Sequence, residues 1–368
     1  MNIRALGQLA FKHAQNAFQE ELYIKAGLDI THPVKIYGIV NERCNYKCRY
    51  CDYWRLASYK DEITIEEWKT GLRSLKDFIG NFHIEFSGGE PFMKKGFVDL
   101  LQWCSDQRIN FGVTTNGSAL NPKMLERFVR TRPFNVNVSI DSYKDEIHDY
   151  TRGIAGSLAH LREALGNLAR EQERQGVRFP VIVKPTVTSA NFRDLPELAR
   201  WAVAELGATL VNFQPIDRWT RETYEELWIE ERDFPELRRI VEELLALKRE
   251  GLPIMNSTMT LELWESHFRE EKAPPSAMPC RVGLRNFFIR SNGDVEVCWY
   301  WPPIGNVKTQ TAREIWQSAE ARQRRQETTQ CERLCLFSCL STSTLQDKVR
   351  TGVNLLVGRR PKTAPTGA

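Results

Sequence analysis

Between Val34 and Pro215, short runs rich in β-branched and aromatic residues alternate with longer stretches whose apolar positions recur every three or four residues. Six runs read as strands: Val34–Val40, His83–Phe86, Asn110–Thr114, Asn135–Ile140, Val181–Val187 and Leu210–Gln214. The stretches between them carry helix punctuation. Thr64 and Glu67 make a capping box ahead of Trp68, Leu72, Leu75 and Phe78; Asn121-Pro122 is an N-cap followed by proline at the first helical position; Gly176 and Gly207 close their helices. Six alternations imply parallel strands joined by right-handed crossovers. The fold class is therefore α/β, an open, partial (β/α)6 TIM-like barrel whose ligands gather at the carboxyl ends of the strands.

The pattern changes at both ends. Ile3, Leu6, Leu9, Phe11, Ala14, Phe18 and Leu22 recur with helical period. They predict an amphipathic helix packed across the outside of the main domain, since its polar face mixes Gln19, Glu20 and Glu21 with its basic residues, unlike a purely basic membrane-surface helix. Past Pro215, Asp233, Pro235 and Gly251 bracket one further helix, and Thr258 to Glu271 reads as another. The prolines between Lys272 and Pro279 read as a linker. Asn286–Arg290 and Asp294–Tyr300 then flank Ser291-Asn292-Gly293, a hairpin signal because the tight turn needs positive φ at both of its central positions. The expected organisation is an N-terminal amphipathic helical segment (1–33), the barrel core with its following helices (34–271), a small C-terminal extension (272–344) and a basic tail (345–368).

Composition narrows the class. The chain of 368 residues is 42% hydrophobic and 27% charged, ordinary values that argue against disorder and against a membrane protein. The net charge of +4, evenly spread, gives no reason to expect a nucleic-acid partner. No apolar run is long enough for a bilayer and no secretory pattern opens the chain, so the expected location is the cytoplasm, with no membrane-surface contact. Of the nine cysteines, Cys104 is isolated in an apolar helical stretch and reads as a core residue, while the rest fall into two groups. Grouped cysteines in a long chain without a signal peptide point to metal more than to disulfides.

The first group follows the first strand as Cys44, Cys48 and Cys51, a C-x3-C-x2-C spacing. Three thiolates this close hold one polynuclear iron centre or one zinc, and leave a four-ligand site with an open position. Zinc sites usually come as two paired C-x2-C arms, which favours iron and sulfur. The other strands end at the same edge. Strand two ends in Ser87-Gly88-Gly89-Glu90-Pro91, where two glycines let a ligand approach the backbone and Glu90 offers an acceptor toward the mouth. Strand three ends in Thr114-Thr115-Asn116-Gly117 and strand four in Ser139-Ile140-Asp141.

Taken together, these motifs resemble the radical S-adenosylmethionine (radical SAM) enzymes from about Val34 to Pro215. The resemblance implies a 4Fe–4S cluster on Cys44, Cys48 and Cys51, with S-adenosylmethionine on its fourth iron, reductive cleavage to a 5′-deoxyadenosyl radical, and hydrogen abstraction from substrate. It further implies that Gly88, Gly89 and Glu90 hold the methionine amino group, that Ser139 and Asp141 lie near the ribose and methionine moieties, that Arg152 pairs with the methionine carboxylate and that Tyr50 lies beside the adenine. An external electron donor such as flavodoxin or ferredoxin belongs to this chemistry.

The second group begins with Cys280 and Cys298, spaced C-x12-G-x4-C around the hairpin, and ends with Cys331, Cys335 and Cys339. This resembles the SPASM and twitch extensions that carry auxiliary 4Fe–4S clusters. A full SPASM extension would have seven cysteines; five serve one fully ligated auxiliary cluster, with a second left open. Spacing does not decide which two of Cys331, Cys335 and Cys339 join the first pair, since on a helix steps of four would put neighbours on one face. Zinc would accept the same sulfurs. The expected protein is an oxidoreductase acting on a ribosomal peptide precursor, as maturases do, or on a small alcohol or sugar, as dehydrogenases do. Residues 1–33 are too few for a peptide-binding domain, so a separate protein would present any leader. The alternative is a non-catalytic iron-sulfur or zinc scaffold. No catalytic acid, base or radical relay stands out.

Overall fold

The computed structural model describes residues 3–55, 61–217 and 222–336. Helix α1 (Ile3–Ala26) precedes β1 (Lys35–Ile39), α2 (Ile65–Ile79), β2 (His83–Ser87), α3 (Phe97–Asp106), β3 (Asn110–Thr115), α4 (Pro122–Arg130) and β4 (Asn135–Val138). Then come α5 (Asp145–Arg152), α6 (Ser157–Gln175), β5 (Val181–Val183), β6 (Thr186–Val187), α7 (Leu195–Ala204), β7 (Leu210–Val211) and β8 (Gln214–Pro215). The chain continues through α8 (Phe234–Glu250), α9 (Thr258–Glu262), α10 (Trp264–Phe268), β9 (Asn286–Ile289), β10 (Asp294–Glu296), β11 (Gly305–Asn306), α11 (Ala312–Gln317) and α12 (Ala319–Thr329).

The main sheet runs β11-β10-β9-β1-β2-β3-β4-β5-β7, and β6 pairs separately with β8. Every pairing from β9 through β1 to β7 is parallel; only β10 and β11 are antiparallel. This is the expected open, partial barrel, with helices on its outer side and the C-terminal hairpin added to the β1 edge. Ile84, Phe86, Phe111, Val113, Val136 and Val138 are all buried, and alternation along the strands puts them on one face, beneath the helices. The capping residues act as the sequence implies: Thr64 and Glu67 form the capping box of α2, and Asn121 Oδ1 accepts from Met124 N at 3.0 Å at the start of α4.

Four details differ from the sequence reading. The fifth and sixth strands are each interrupted, because Pro185 has no N–H for the ladder and the Asn256 side chain brackets Phe213, accepting from its N at 2.8 Å and donating to its O at 2.7 Å. The hairpin has positive φ only at Gly293 (91°); Asn292 instead accepts from Asp294 N through its side chain, as Gly293 N closes on Arg290 O at 3.0 Å. The helix expected over Thr258 to Glu271 is two short ones that meet at Leu263. Finally, α1 docks through polar residues. Asn16 and Glu20 are buried, Glu20 pairing with Arg281 and Arg285, whereas Phe11 and Phe18 are 70% and 65% exposed. Phe11, Ala14 and Phe18 face out because the buried Glu20 ion pairs, not these apolar residues, fix the rotation of the helix. No helix among the described residues is long and apolar enough to cross a membrane.

Candidate active site

The cysteine loop leaves β1 at the carboxyl edge and is stitched to both neighbours. Gly89 N donates to Asn41 O (3.0 Å), Glu90 N to Arg43 O (2.7 Å) and Arg49 N to Thr151 O (2.9 Å). The two glycines serve this packing: a Cβ on Gly88 would lie 2.3 Å from Asn41 O, and one on Gly89 would lie 2.0 Å from Arg43 O. What approaches the glycine backbone is therefore the lead-in to the cysteine loop. The Glu90 carboxylate does not project into the mouth. It is fully buried and accepts from Thr115 Oγ1 (2.8 Å), Phe92 N (3.2 Å) and Asn116 N (2.8 Å), so it rivets the end of β2 to the end of β3. Burial outweighs those donors and raises its pKa to about 7.

Asp141 forms a second buried knot. Its carboxylate accepts from Tyr50 Oη (2.7 Å), Thr151 Oγ1 (2.8 Å), Arg152 Nη2 (2.9 Å) and Thr186 N (2.9 Å). Arg152 is only 6% exposed. Burial works against its charge, but Asp141 wins and its pKa is raised. Burial and the Arg152 cation together push His148 down to about 4, so its ring is neutral and its Nδ1 accepts from Asp141 N at 3.2 Å. Breaking this ion pair would leave a buried charge, a loss of about 3–5 kcal/mol. Among the described residues, Arg152 Nε is buried without a hydrogen-bond partner beside the thiols, a donor suited to a carboxylate. Ser139, half-buried at the end of the fourth strand, donates its N–H to Thr115 O at 3.1 Å.

Each thiol of the loop has its own donor. Asn116 Nδ2 lies 3.6 Å from Cys44 Sγ and Arg152 Nη1 lies 3.8 Å from Cys48 Sγ, while the backbone N–H groups of Tyr46 and Tyr53 serve Cys44 and Cys51. Burial nevertheless pushes the thiols up, Cys44 to about 11 and Cys51 to about 12, so a bound cation must supply the charge that makes them thiolates. Three thiols, each with its own N–H donor, suit a polynuclear cluster that takes one thiolate per corner. The donor set therefore fits a three-cysteine iron-sulfur centre with one open corner.

The structure also gathers the second group. Cys331 lies within electrostatic reach of Cys280, and Cys280 and Cys298 within reach of Cys335. The segment of Cys331 and Cys335 follows the end of α12 and is not helical, so the shared helix face is replaced by a loop that brings both thiols in. Cys339 and the basic tail lie outside the described residues.

Sequence reading passed over the inner wall of the sheet. Asn137 Nδ2 donates to Glu85 Oε2 (3.1 Å) and Thr114 Oγ1 (3.1 Å), and His83 Nε2 meets Glu85 Oε1 at 2.9 Å. A signal for it existed: a parallel strand covered on both faces reads as continuously apolar, yet His-Ile-Glu-Phe-Ser alternates. Asn116 was noted only as part of a short polar motif, and its reach to a sulfur is a matter of geometry alone.

Residues 39–199 match the Radical SAM superfamily, and residues 280–340 match an iron-sulfur cluster-binding domain, SPASM. The AdoMet-dependent heme synthase of Methanosarcina barkeri is 25% identical over 301 residues, spanning 75% of this chain and 80% of that protein. The sporulation killing factor maturation protein SkfB of Bacillus subtilis is 23% identical over 320 residues, 86% of this chain and 73% of its own length. Among solved structures, Streptococcus suis SuiB bound to its precursor peptide SuiA superposes with a TM-score of 0.62 at 16% identity, covering 85% of this chain and 71% of SuiB. The two matched segments coincide with the two cysteine groups, and the fold is that of the neighbours: the chain belongs to the radical SAM superfamily, as an enzyme that uses a 4Fe–4S cluster and S-adenosylmethionine and carries a SPASM-type iron-sulfur extension.

Proposed function

We propose that this enzyme reductively cleaves S-adenosylmethionine at a cluster held by Cys44, Cys48 and Cys51 and abstracts a hydrogen atom from a peptide substrate. In this reading Cys280, Cys298, Cys331 and Cys335 would hold an auxiliary cluster, which would supply an acceptor for the electron of the substrate radical. The observation that carries it is the three-thiol loop at the barrel mouth, each sulfur with its own N–H donor. Bound there, the cluster and S-adenosylmethionine supply the carbon–sulfur cleavage and the hydrogen abstraction. The protein supplies position and exclusion of water. Arg152 and Asn116 direct N–H groups at sulfur, offsetting the charge that thiolates add. Asp141 holds Arg152 and Tyr50 so that the free Nε meets the methionine carboxylate and the ring lies beside the adenine. Glu90 fixes the segment Gly88 to Glu90 where the methionine amino group is held, and Ser139 lies toward the ribose. Tyr46, 5% exposed, shields the loop from solvent.

A peptide substrate is supported by the likeness to SkfB and to peptide-bound SuiB. The likeness to a heme synthase favours a second reading, a small-molecule substrate. A cytoplasmic location with a flavodoxin or ferredoxin as electron donor completes the proposal. The test is anaerobic reconstitution, reduction and assay for 5′-deoxyadenosine. Formation by the intact enzyme is expected; none from fully iron-loaded protein overturns the proposed cleavage at this loop.

A further inference from the structure

A charged cavity sits on the inner face of the sheet beside the cysteine loop. Phe288 of β9 stacks on Tyr37 of β1 at 4.6 Å, whereas its neighbour Phe287 turns out toward Trp316 of α11. Glu296 of β10 stands opposite Phe288 in register and so shares the inner face. With Glu42, Glu62, Asp294 and Arg290, it lines a cavity of about 310 Å³ at the lip where β1, β9 and β10 meet the loop. Tyr53 lies within electrostatic reach of Cys51 and also of Arg290, Glu42 and Glu296, which puts the cavity next to the thiols.

Not every carboxylate oxygen of this wall has a donor. Arg290 stands 3.7 Å from Glu42 and 3.9 Å from Glu296, too far for a hydrogen bond to either. Among the described residues, Glu296 Oε2 is buried with no hydrogen-bond partner. So is Glu62 Oε1, on a side chain 9% exposed whose other oxygen takes Arg43 at 3.3 Å and Lys94 at 3.2 Å. Asp294 shows the contrast: Asn292 at 2.7 Å and Asn306 at 2.9 Å satisfy it. Two carboxylate oxygens left without donors among the described residues, on side chains that line a cavity large enough for a side-chain head group, call for a ligand that brings N–H groups and positive charge.

We propose that this cavity binds an ammonium or guanidinium group of the substrate, such as a Lys or Arg side chain of a peptide, and holds it beside the three-thiol loop. The wall repels anionic groups, so the same cavity selects against carboxylate-rich small molecules. That the cation belongs to the substrate rests on the radical chemistry proposed above; that the cavity takes a cation does not.

The probe is agmatine, which carries both cationic groups, with n-butylurea as a neutral control. Both are titrated into the reconstituted, unreduced holoenzyme by ligand-observed NMR, and iron is measured on every sample. Agmatine should bind saturably and n-butylurea should bind about tenfold more weakly, the scale of a charged hydrogen bond. Glu296→Gln should weaken agmatine about tenfold, whereas Arg290→Met, which removes the competing cation, should strengthen it. Should Glu296→Gln lose iron, since it lies near Cys298, Arg290→Met alone decides by its sign. Equal binding of the two probes, or agmatine affinity unmoved by either substitution, overturns the proposal. Absence of 5′-deoxyadenosine with agmatine binding intact removes the radical reading and leaves the cavity; the reverse result removes the cavity alone.

Discussion

The two thiol groups are built in opposite ways. Cys44, Cys48 and Cys51 share one short loop that backbone hydrogen bonds pin to the end of β2 and to α5. Cys280, Cys298, Cys331 and Cys335 come instead from just past the linker, the loop after β10 and the segment after α12. The segments of that second assembly meet through Ala273 N to Glu332 O at 2.7 Å, an isolated bridge between Lys272 and Arg333, and Arg333 Nη2 donating to Asp217 Oδ1 at 3.0 Å. Closing such long loops costs chain entropy, and a metal that ties them together offsets it. Local backbone contacts set the geometry of the first group, whereas the second is assembled from distant segments that a cluster would tie together.

Removing each set separately tests this contrast most severely. Replacing Cys44, Cys48 and Cys51 together by Ala should abolish 5′-deoxyadenosine formation while retaining roughly four iron atoms per chain and the fold, read by activity assay, iron analysis and circular dichroism. Replacing Cys280 and Cys298 by Ala should also cost roughly four iron atoms, but should leave substrate-free cleavage of S-adenosylmethionine intact. It should lower the thermal midpoint by more than the first set does. An equal loss of stability from both sets would erase the distinction.

A single methyl group sharpens it further. Ala at position 89 would put Cβ 2.0 Å from Arg43 O and 2.4 Å from Arg43 C, backbone atoms that no rotamer change can clear. Gly89→Ala should therefore displace the loop, lose the first cluster's iron and cleavage activity, and spare the second cluster. Gly166→Ala on α6 is the control, because its Cβ meets nothing closer than Arg170 Nη1 at 3.8 Å. Normal iron content in Gly89→Ala would show that the loop tolerates movement.

Much of this was legible in the sequence, for definite reasons. Strand and helix alternation, the Thr64 and Asn121 caps and the spacing of the first three cysteines are local signals, and local physics carried them into the structure. Contacts between distant residues were not legible. Nothing in Ser-Gly-Gly-Glu-Pro says that the glycines face the protein's own backbone or that Glu90 turns back to cap the next strand. Nor does helical period along α1 reveal that Glu20, drawn to Arg281 and Arg285, overrides the pull of Phe11 and Phe18. Where a buried charge pair competes with an apolar stripe, the period names the helix but not its docked face.

Glu90 offers the smallest effect and the finest probe of how rigidly the first site is held. In the unfolded chain it titrates near 4.5, and in the folded protein burial raises that to about 7. Below pH 4.5 the group is neutral in both states. As pH rises the unfolded chain ionises first, so this contribution to stability declines from pH 4.5 to about 7 and is level above it. Glu90→Gln cannot ionise, but it turns an amide N–H₂ toward one of the donors Thr115, Asn116 or Phe92. The variant should therefore be less stable than the natural chain at pH 5, and the gap should narrow by up to about 3 kcal/mol toward pH 8. Urea midpoints between pH 5 and pH 8 read this directly. A gap that stays constant with pH would mean that the three donors keep Glu90 ionised throughout, and that they outweigh burial in clamping β2 to β3.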